Sequence, residues 1–558
     1  MRFHYPRRAR ARRAATELLR AAGLCVLGAL LVSVASAHGV APSLAPRAGE
    51  AIYRDGRLPS GLPLTALREP DMRLTGAAAA CSNCHRRSGL GEIEGHLRIP
   101  PISGAYLFHP RSHSRDDLDI PYVEGMHFDR DPYTAATLAR AIRAGLGADD
   151  KPLNYLMPHY SLDDADMAAL IDYLKSLSPS KVPGVDGAVV HFATIVTPDA
   201  DPVKRQAMFS VLEQYFADQN SFALRANPRA RAPNLKSMAK RRWQLHVWEL
   251  SGEASTWAEQ LQRWRAREPV YAVLAGLGGK DWGPVHRFCE SAALPCIFPN
   301  VEVPVVAEHD FYSLYYSRGV LLEADLLAQQ LTATQATGAV HVVQVFRTGD
   351  VGAAAAMALH DALAAAGIAS VDRPLTEPGD ERQLAAVLKG VKPADTVVLW
   401  LRAADVAQLD KVPVRSAHVL MSGLMAGLEA APLPPAWRAV TRLAYPVDLP
   451  DQRVIRLDYA RGWMVLHHIP VLAEQVQVDT YVACRLVLEA LDHTSGTFNP
   501  EYLVERFEGM LEHQLISGYY PRLGLAPNER FASKGGYIVH FAKPTGPEVL
   551  ADSDWQVP

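Results

Sequence analysis

Residues 81–85 read Cys-Ser-Asn-Cys-His, the most specific pattern in this chain. Cys-x-x-Cys-His is the sequence at which a c-type haem is attached to a polypeptide. Two cysteines one helical turn apart can form thioethers with the two vinyl groups of one porphyrin, and the next histidine is then held under the iron. The alternatives are a dithiol redox pair and half of a zinc site, but no second ligand pair follows at finger-like spacing. The pattern predicts one covalent haem c on Cys81 and Cys84, with His85 as an axial ligand.

Residues 1–37 have the pattern of a secretory signal peptide. Six arginines between positions 7 and 20 precede an uncharged apolar run, 21–34, and the small-x-small cleavage site Ala35-Ser36-Ala37. The run is short for a membrane span, and an uncleaved anchor is the alternative. We therefore expect a periplasmic protein with no stable membrane span after cleavage. A net charge of −3 does not favour a nucleic-acid partner.

A first domain is predicted at residues 46–177. A glycine- and proline-rich loop containing Pro100-Pro101 follows the haem motif, and Met157-Pro158 directly precedes an amphipathic helix. This arrangement resembles small cytochromes c. The resemblance implies an all-α domain in which the carbonyl of Pro100 or Pro101 accepts the N–H of His85, and in which Met157 is the sixth iron ligand.

Three other side chains compete with Met157 for the iron, namely Met126, His127 and His159. Methionine raises the reduction potential of a haem, whereas a second histidine would lower it. An iron with both axial positions filled has no open site for oxygen, so the expected chemistry is electron transfer.

A proline- and serine-rich linker, 178–186, separates this domain from alternating strand and helix patterns, which predict parallel sheets covered by helices. The segments 275–284, 294–299 and 523–530, the last followed by 536–539, resemble the type I periplasmic solute-binding fold, specifically the branched-chain amino acid/amide receptors of ABC transporters. The resemblance implies a domain at 187–558 with two discontinuous lobes, about 187–303 with 446–515, and about 304–445 with 516–558.

Cys289 and Cys296 lie late in a predicted helix and at the start of the next predicted strand. In an oxidising compartment they form either a short-loop disulfide or a pair of buried thiols. The sequence leaves both alternatives open.

A ligand pocket is expected where parallel strands end and helices begin, because ligands of α/β sheets lie beyond the carboxyl ends of the strands and helix-start N–H groups bind anions. The opening 197–201, Thr-Pro-Asp-Ala-Asp, replaces the glycine-rich opening usual in amino acid receptors, which leaves room for another kind of ligand. The predicted pocket residues are Gly278, Gly279, Asn300, Thr348, Asp350, Ser422 and Tyr445.

Three functions compete. The first is an exported monohaem electron carrier whose second region binds a small ligand or docks a partner, such as a periplasmic dehydrogenase or another cytochrome. The second is an ABC-transporter receptor with an accessory haem domain, and the third is a haem enzyme. The chain has no His-Glu-x-x-His motif and no dinucleotide fingerprint, so we expect a carrier and binding protein and not an enzyme.

Overall fold

The computed structural model describes residues 44–68, 71–94, 97–108, 131–177, 181–226, 241–307, 310–335, 341–376, 381–492, 494, 498–513 and 518–558. The predicted signal peptide, Met126, His127 and residues 178–180 of the predicted linker lie outside them. Residues Ala45–Pro558 form one compact unit. Within the described ranges, no helix has both the length and the apolar character needed to cross a bilayer.

The haem-motif region is a mixture of short helices and short strands around a small apolar core. Its elements are α1 (Leu44–Asp55), β1 (Thr65–Arg68), β2 (Met72–Thr75), α2 (Ser82–His85), β3 (Glu92–Glu94), β4 (Leu97–Ile99), α3 (Gly104–Leu107), α4 (Ala135–Ala144), β5 (His159–Ser161) and α5 (Asp164–Ser176). The predicted stripes of α4 and α5 are buried in the core that also receives Ile52 and Tyr53 of α1. Asp163 caps α5 by accepting the N–H of Asp166.

The expectation of an all-α domain is only partly met. Strand β1 pairs with both β2 and β5 in an antiparallel sheet of order β2-β1-β5, and β3 pairs with β4. These strands are three or four residues long, too short for the alternation of polar and apolar residues that reveals a strand in a sequence.

The next part of the chain is the first lobe, built on a five-stranded parallel sheet of order β10-β9-β8-β6-β7. Its elements are β6 (Val189–Val196), α6 (Pro202–Ala226), β7 (Arg242–Glu249), α7 (Trp257–Arg267), β8 (Ala272–Leu274), α8 (Gly283–Ser291), β9 (Cys296–Ile297) and β10 (Ser313–Leu314). Strand β10 keeps the chain in this sheet beyond residue 303. Cys289 and Cys296 are fully buried, and they are hydrogen-bonded thiols and not a disulfide.

The second lobe contains a seven-stranded sheet of order β12-β11-β13-β14-β15-β16-β17. Its first five strands are parallel and the last two are antiparallel. The elements are α9 (Val320–Gln335), β11 (Val342–Arg347), α10 (Val351–Ala365), β12 (Ser370–Leu375), α11 (Glu381–Lys389), β13 (Thr396–Trp400), α12 (Ala403–Ala407), β14 (His418–Ser422), α13 (Gly423–Ala426), α14 (Pro435–Arg438) and β15 (Thr441–Tyr445).

The last part of the chain adds to both lobes. Its elements are α15 (Pro450–Leu466), α16 (Glu474–Asp492), α17 (Pro500–His513), β16 (Tyr537–Phe541) and β17 (Val549–Ala551). Helix α16 packs on α6 and α17, which places it with the first sheet, whereas β16 and β17 extend the second. The two sheets with their covering helices confirm the predicted multidomain chain with an α/β region.

Candidate haem site and interlobe cleft

The haem motif forms the single-turn helix α2. The N–H groups of Cys84 and His85 both donate to the carbonyl of Cys81, at 3.3 and 2.9 Å, so the turn begins at the first cysteine. The turn ends at Arg86, whose φ of 63° is left-handed and prevents continuation of the helix. Cys81 and His85 are buried and Cys84 is exposed.

The imidazole of His85 is fixed by the backbone. Its Nδ1 lies 3.0 Å from the carbonyl oxygen of Pro100. Because a carbonyl only accepts, Nδ1 carries the proton, and Nε2 keeps its lone pair for a metal. Burial lowers the pKa of His85 to about 4, and the bond to Pro100 opposes this only in part. The ring is therefore neutral at physiological pH, as a metal ligand must be.

A cavity of about 600 Å³ lies next to the motif. Both cysteines, His85 and Met157 line it together with apolar side chains of α4 and α5. Burial raises the pKa of the Cys81 thiol to about 12, and Tyr160 hydrogen-bonds to its sulfur. A thiol held protonated is a poor nucleophile, so Cys81 does not resemble an activated redox cysteine. The donor set and the apolar pocket fit a haem c.

Met157 is half-buried and packs against the core of this region, between the exposed Tyr155 and the buried Pro158. His159 lies on β5 outside the cavity lining, and its ring packs at the α-carbon of Gly145. Of the four candidate sixth ligands, Met157 therefore reaches the cavity and His159 does not.

The residues directly after the motif contact the first lobe through buried ion pairs and hydrogen bonds, which the sequence did not predict. Arg86 pairs with Glu508 of α17, and the other oxygen of Glu508 accepts from Arg530 at 2.5 Å. Ser88 donates its N–H and its hydroxyl to Glu505, at 2.9 and 2.5 Å. We call Arg86, Glu505, Glu508 and Arg530 the interdomain ion cluster. All of it is buried or nearly so.

A second set of contacts surrounds this cluster. The guanidinium of Arg87 lies 4.4 Å from the ring centre of Phe311, a cation–π contact with the first lobe. Arg54 of α1 is 3.5 Å from Glu501, and Glu501 also accepts the hydroxyl of Tyr312 at 2.6 Å. The haem region is thus held to the first lobe on both sides of the motif.

Glu505 makes stability depend on pH. Burial raises its pKa to about 7, although Arg86 and the bonds from Ser88 pull it down. Between about pH 4.5 and 7 the folded protein keeps a proton that the unfolded chain has lost, so a rise in pH lowers the free energy of unfolding. The raised pKa corresponds to a loss of about 3 kcal/mol of unfolding free energy, and this loss is complete above pH 7.

The dependence on Glu505 can be tested by urea unfolding of the parent and Glu505→Gln proteins at pH 5 and pH 8. Relative to the parent, Glu505→Gln should gain stability as the pH rises. Equal differences at both pH values would contradict this, and Glu259→Gln at an exposed site is the control.

The second cavity, about 710 Å³, lies in the cleft between the lobes. Gly278, Gly279, Asn300 and Asp350 of the predicted pocket line it, together with residues 473–476 at the start of α16. The cleft is the candidate solute site.

Three predicted pocket residues do not line the cleft. Thr348 donates its hydroxyl to the carbonyl of Leu375, and Ser422 donates to the buried carboxyl of Glu323. The hydroxyl of Tyr445 bonds to Glu429 at 2.5 Å. Each of these three side chains is thus hydrogen-bonded within the second lobe, away from the cleft lining.

An ion-pair network, also absent from the sequence predictions, crosses the cleft. Glu302 accepts from Lys204 of α6 at 2.7 Å and from Arg402, after β13, at 2.7 and 3.3 Å. Arg402 also binds Asp350 at 2.8 and 2.7 Å. Despite its burial, the bonds from Arg402 and Lys204 lower the pKa of Glu302 to about 2. A residue from each lobe therefore converges on one carboxylate.

Comparison with protein families identifies the haem region. Residues 75–178 match the cytochrome c family model, a segment that contains Cys81, Cys84, His85 and Met157. This segment of the chain is thus similar to cytochrome c. No curated protein matches the chain.

About two thirds of the chain is similar in fold to solute-binding proteins of ABC transporters. A branched-chain amino acid ABC transporter protein from Thermus thermophilus with bound valine aligns at 13% identity and TM-score 0.47, covering 67% of this chain and 98% of its own. A fatty acid ABC transporter substrate-binding protein from Thermomonospora curvata aligns at 15% and 0.47, covering 68% and 95%. A substrate-binding periplasmic protein from Ralstonia solanacearum aligns at 13% and 0.47, covering 65% and 100%.

Proposed function

We propose that this protein is an exported monohaem c-type cytochrome that carries electrons in the periplasm and binds a small solute in its interlobe cleft. The observation that carries the electron-transfer part is the convergence of Cys81, Cys84, His85 and Met157 on one apolar cavity. A bound haem c supplies one-electron transfer at an iron saturated by two protein ligands. The redox partner would be a periplasmic dehydrogenase or another cytochrome.

The residues of this chain would do three things around the haem. The two cysteines tether it, and the carbonyl of Pro100 orients His85 and sets its tautomer. Apolar side chains of α4 and α5 exclude water, which favours a high potential together with the thioether of Met157. The interdomain ion cluster keeps the haem region at a fixed position on the first lobe.

Covalent attachment tests the proposal directly. After co-expression with a haem c maturation system and export, the protein should keep a haem-staining band after denaturation and show a low-spin haem c spectrum. Cys81→Ser/Cys84→Ser should lose the stained band altogether, because no thioether can form. Cys484→Ser, at a buried cysteine far from the motif, is the control and should retain it. A colourless parent protein, purified from the periplasm, would refute the electron-carrier proposal.

A solute receptor with an accessory haem domain is the second candidate, and the cleft of about 710 Å³ favours it. The cysteine double variant separates the two functions. Both candidates keep solute binding without haem, but only the electron carrier predicts an electron-transfer activity with a redox partner that is present in the parent protein and lost in the variant.

A further inference from the structure

The position where a ligand carboxylate would meet backbone N–H groups in the first lobe is already filled. Asp199 accepts the N–H of Lys280 at 2.8 Å and the hydroxyl of Thr197 at 2.7 Å. Its carboxylate lies flat on Gly279, where an added Cβ would come within 2.2 Å of it. The turn after β8 therefore binds an anion that belongs to the protein itself.

The start of α16 is a second place where an anion could bind, but the backbone N–H groups just before it already donate to a side chain of the protein. The oxygen of the Gln477 side chain accepts the N–H groups of Leu472 and Ala473, at 2.9 and 3.3 Å. Glu474 adds a carboxylate to the first turn, where the helix dipole favours negative charge. Glu474 is itself paired with Arg461, at 2.6 and 3.0 Å, so the first turn of α16 already holds a carboxylate that belongs to the protein.

The cationic side chains of the cleft are Lys204, Lys280 and Arg402, against six carboxyl groups in the same lining. Lys204 and Arg402 are held by Glu302, and Arg402 also by Asp350. Lys280 is exposed at the edge, where water screens its charge. The described lining therefore offers a carboxylate ligand no buried, unengaged cation.

One carboxyl group of the cleft stands apart from these pairs. Asp479 of α16 lines the cavity, is only 6% exposed and has no ion pair among the described residues. Its side chain is bonded to that of Gln475, one turn earlier. Burial raises its pKa well above the usual range, so in the empty cleft this carboxyl is costly to ionise.

Two tyrosines lie beside Asp479. The hydroxyl of Tyr316 donates to the backbone carbonyl of Asp479 at 2.6 Å. The ring of Tyr316 stacks on those of Phe298 and Tyr520, with centroids 4.4 and 5.4 Å away, and both tyrosines line the cleft. A buried carboxyl in such an aromatic surrounding attracts an organic cation, chiefly through the ion pair.

We propose that the interlobe cleft selects an organic ammonium ion with an apolar or aromatic body, bound by Asp479 beside Tyr316 and Tyr520. This inference rests on the proposal that the cleft binds a small solute. An ammonium group would give Asp479 a positively charged partner in addition to its bond with Gln475, and its apolar body would fill the cavity that the tyrosines line. A carboxylate ligand is disfavoured, because Asp199 fills one anion position and Glu302 and Asp350 engage Arg402.

The test compares three probes with one ring and one chain length but different charge: 2-phenylethylamine, 2-phenylethanol and 3-phenylpropanoate. Titration calorimetry and thermal shift use the full haem-loaded protein at pH 7. The amine should bind about tenfold or more tighter than the alcohol, because only the ammonium group can form a charge-assisted hydrogen bond with the Asp479 carboxylate; a tenfold difference equals about 1.4 kcal/mol. The propanoate should bind most weakly. Asp479→Asn should make amine and alcohol equal, whereas Asp361→Asn, at an exposed position on α10, should leave the preference unchanged.

Each result has a defined meaning. Tighter binding of the propanoate, or binding of none of the probes, would overturn the inference. An amine preference that survives Asp479→Asn would overturn the role of Asp479. The same samples give a haem spectrum, so a failure of the haem proposal would appear there and would not be confused with failure in the cleft.

Discussion

Replacing Met157 with alanine is expected to open the sixth coordination position of the iron and to lower the reduction potential. The thioether lines the haem cavity, and methionine is the ligand that raises the potential of c-type haems. Axial ligands shift haem potentials across a range of about 0.8 V, and we expect a fall on the order of 0.1 V for this loss. The oxidised variant should also bind added imidazole, which the parent protein should exclude. Spectroelectrochemistry and an imidazole titration measure the two effects.

Met126→Ala is the matched control, because Met126 is the rival thioether on the same domain. It should keep the parent potential and should not bind imidazole. The reverse outcome, a normal Met157→Ala protein and an altered Met126→Ala protein, would transfer the sixth-ligand role to Met126. Met157→His should restore a low-spin spectrum at a lower potential, which separates ligation from a general loss of packing.

The grouping of the candidate haem residues could be predicted because it is encoded locally. Cys81, Cys84 and His85 lie within one turn, so their spacing alone brings them together. The expected contact with Pro100 or Pro101 also depends on a short loop, and Pro100 makes it. Met157 comes from further away, but the amphipathic helix α5 that follows it marks its position in the sequence.

The cleft could be predicted only in part. Gly278, Gly279, Asn300 and Asp350 follow strands and line the cavity. Ser422 also lies at the carboxyl end of a strand, yet its hydroxyl donates to Glu323 of α9. The residues at the end of a strand do not reveal which helix packs beside that strand. The sequence therefore could not show which strand-end side chains would be engaged by a neighbouring helix.

The interdomain ion cluster had no sequence signal at all. Arg86, Glu508 and Arg530 are separated by hundreds of residues or stand on different elements, and a charged residue in a sequence is ordinarily solvated. Only the docking of the haem region on α17 converts three surface-like residues into a buried group.

This cluster leads to the largest expected effect on stability. Glu508 is 3% exposed and serves two guanidinium groups, those of Arg86 and Arg530. Glu508→Gln keeps the shape but removes the charge, so both arginines remain buried with less compensation. Loss of one partner of a buried ion pair costs about 3–5 kcal/mol, and we expect a decrease in unfolding free energy of that size.

The effect of Glu508→Gln should be measured by urea unfolding, followed both by haem absorbance and by tryptophan fluorescence. In the parent protein the two signals should change together, and in the variant the haem region should unfold first.

Two further variants distinguish a buried cluster from an ordinary surface pair. Glu259→Gln removes the partner of Arg263 at a site where both side chains are more than half exposed, and it should change stability by less than about 1 kcal/mol. Adding Arg530→Met to Glu508→Gln should recover part of the loss, because one uncompensated buried charge is then removed. If Glu508→Gln costs no more than Glu259→Gln, the haem region is not held by these ion pairs. The contacts of Arg87 with Phe311 and of Arg54 with Glu501 would then fix the haem site on the first lobe.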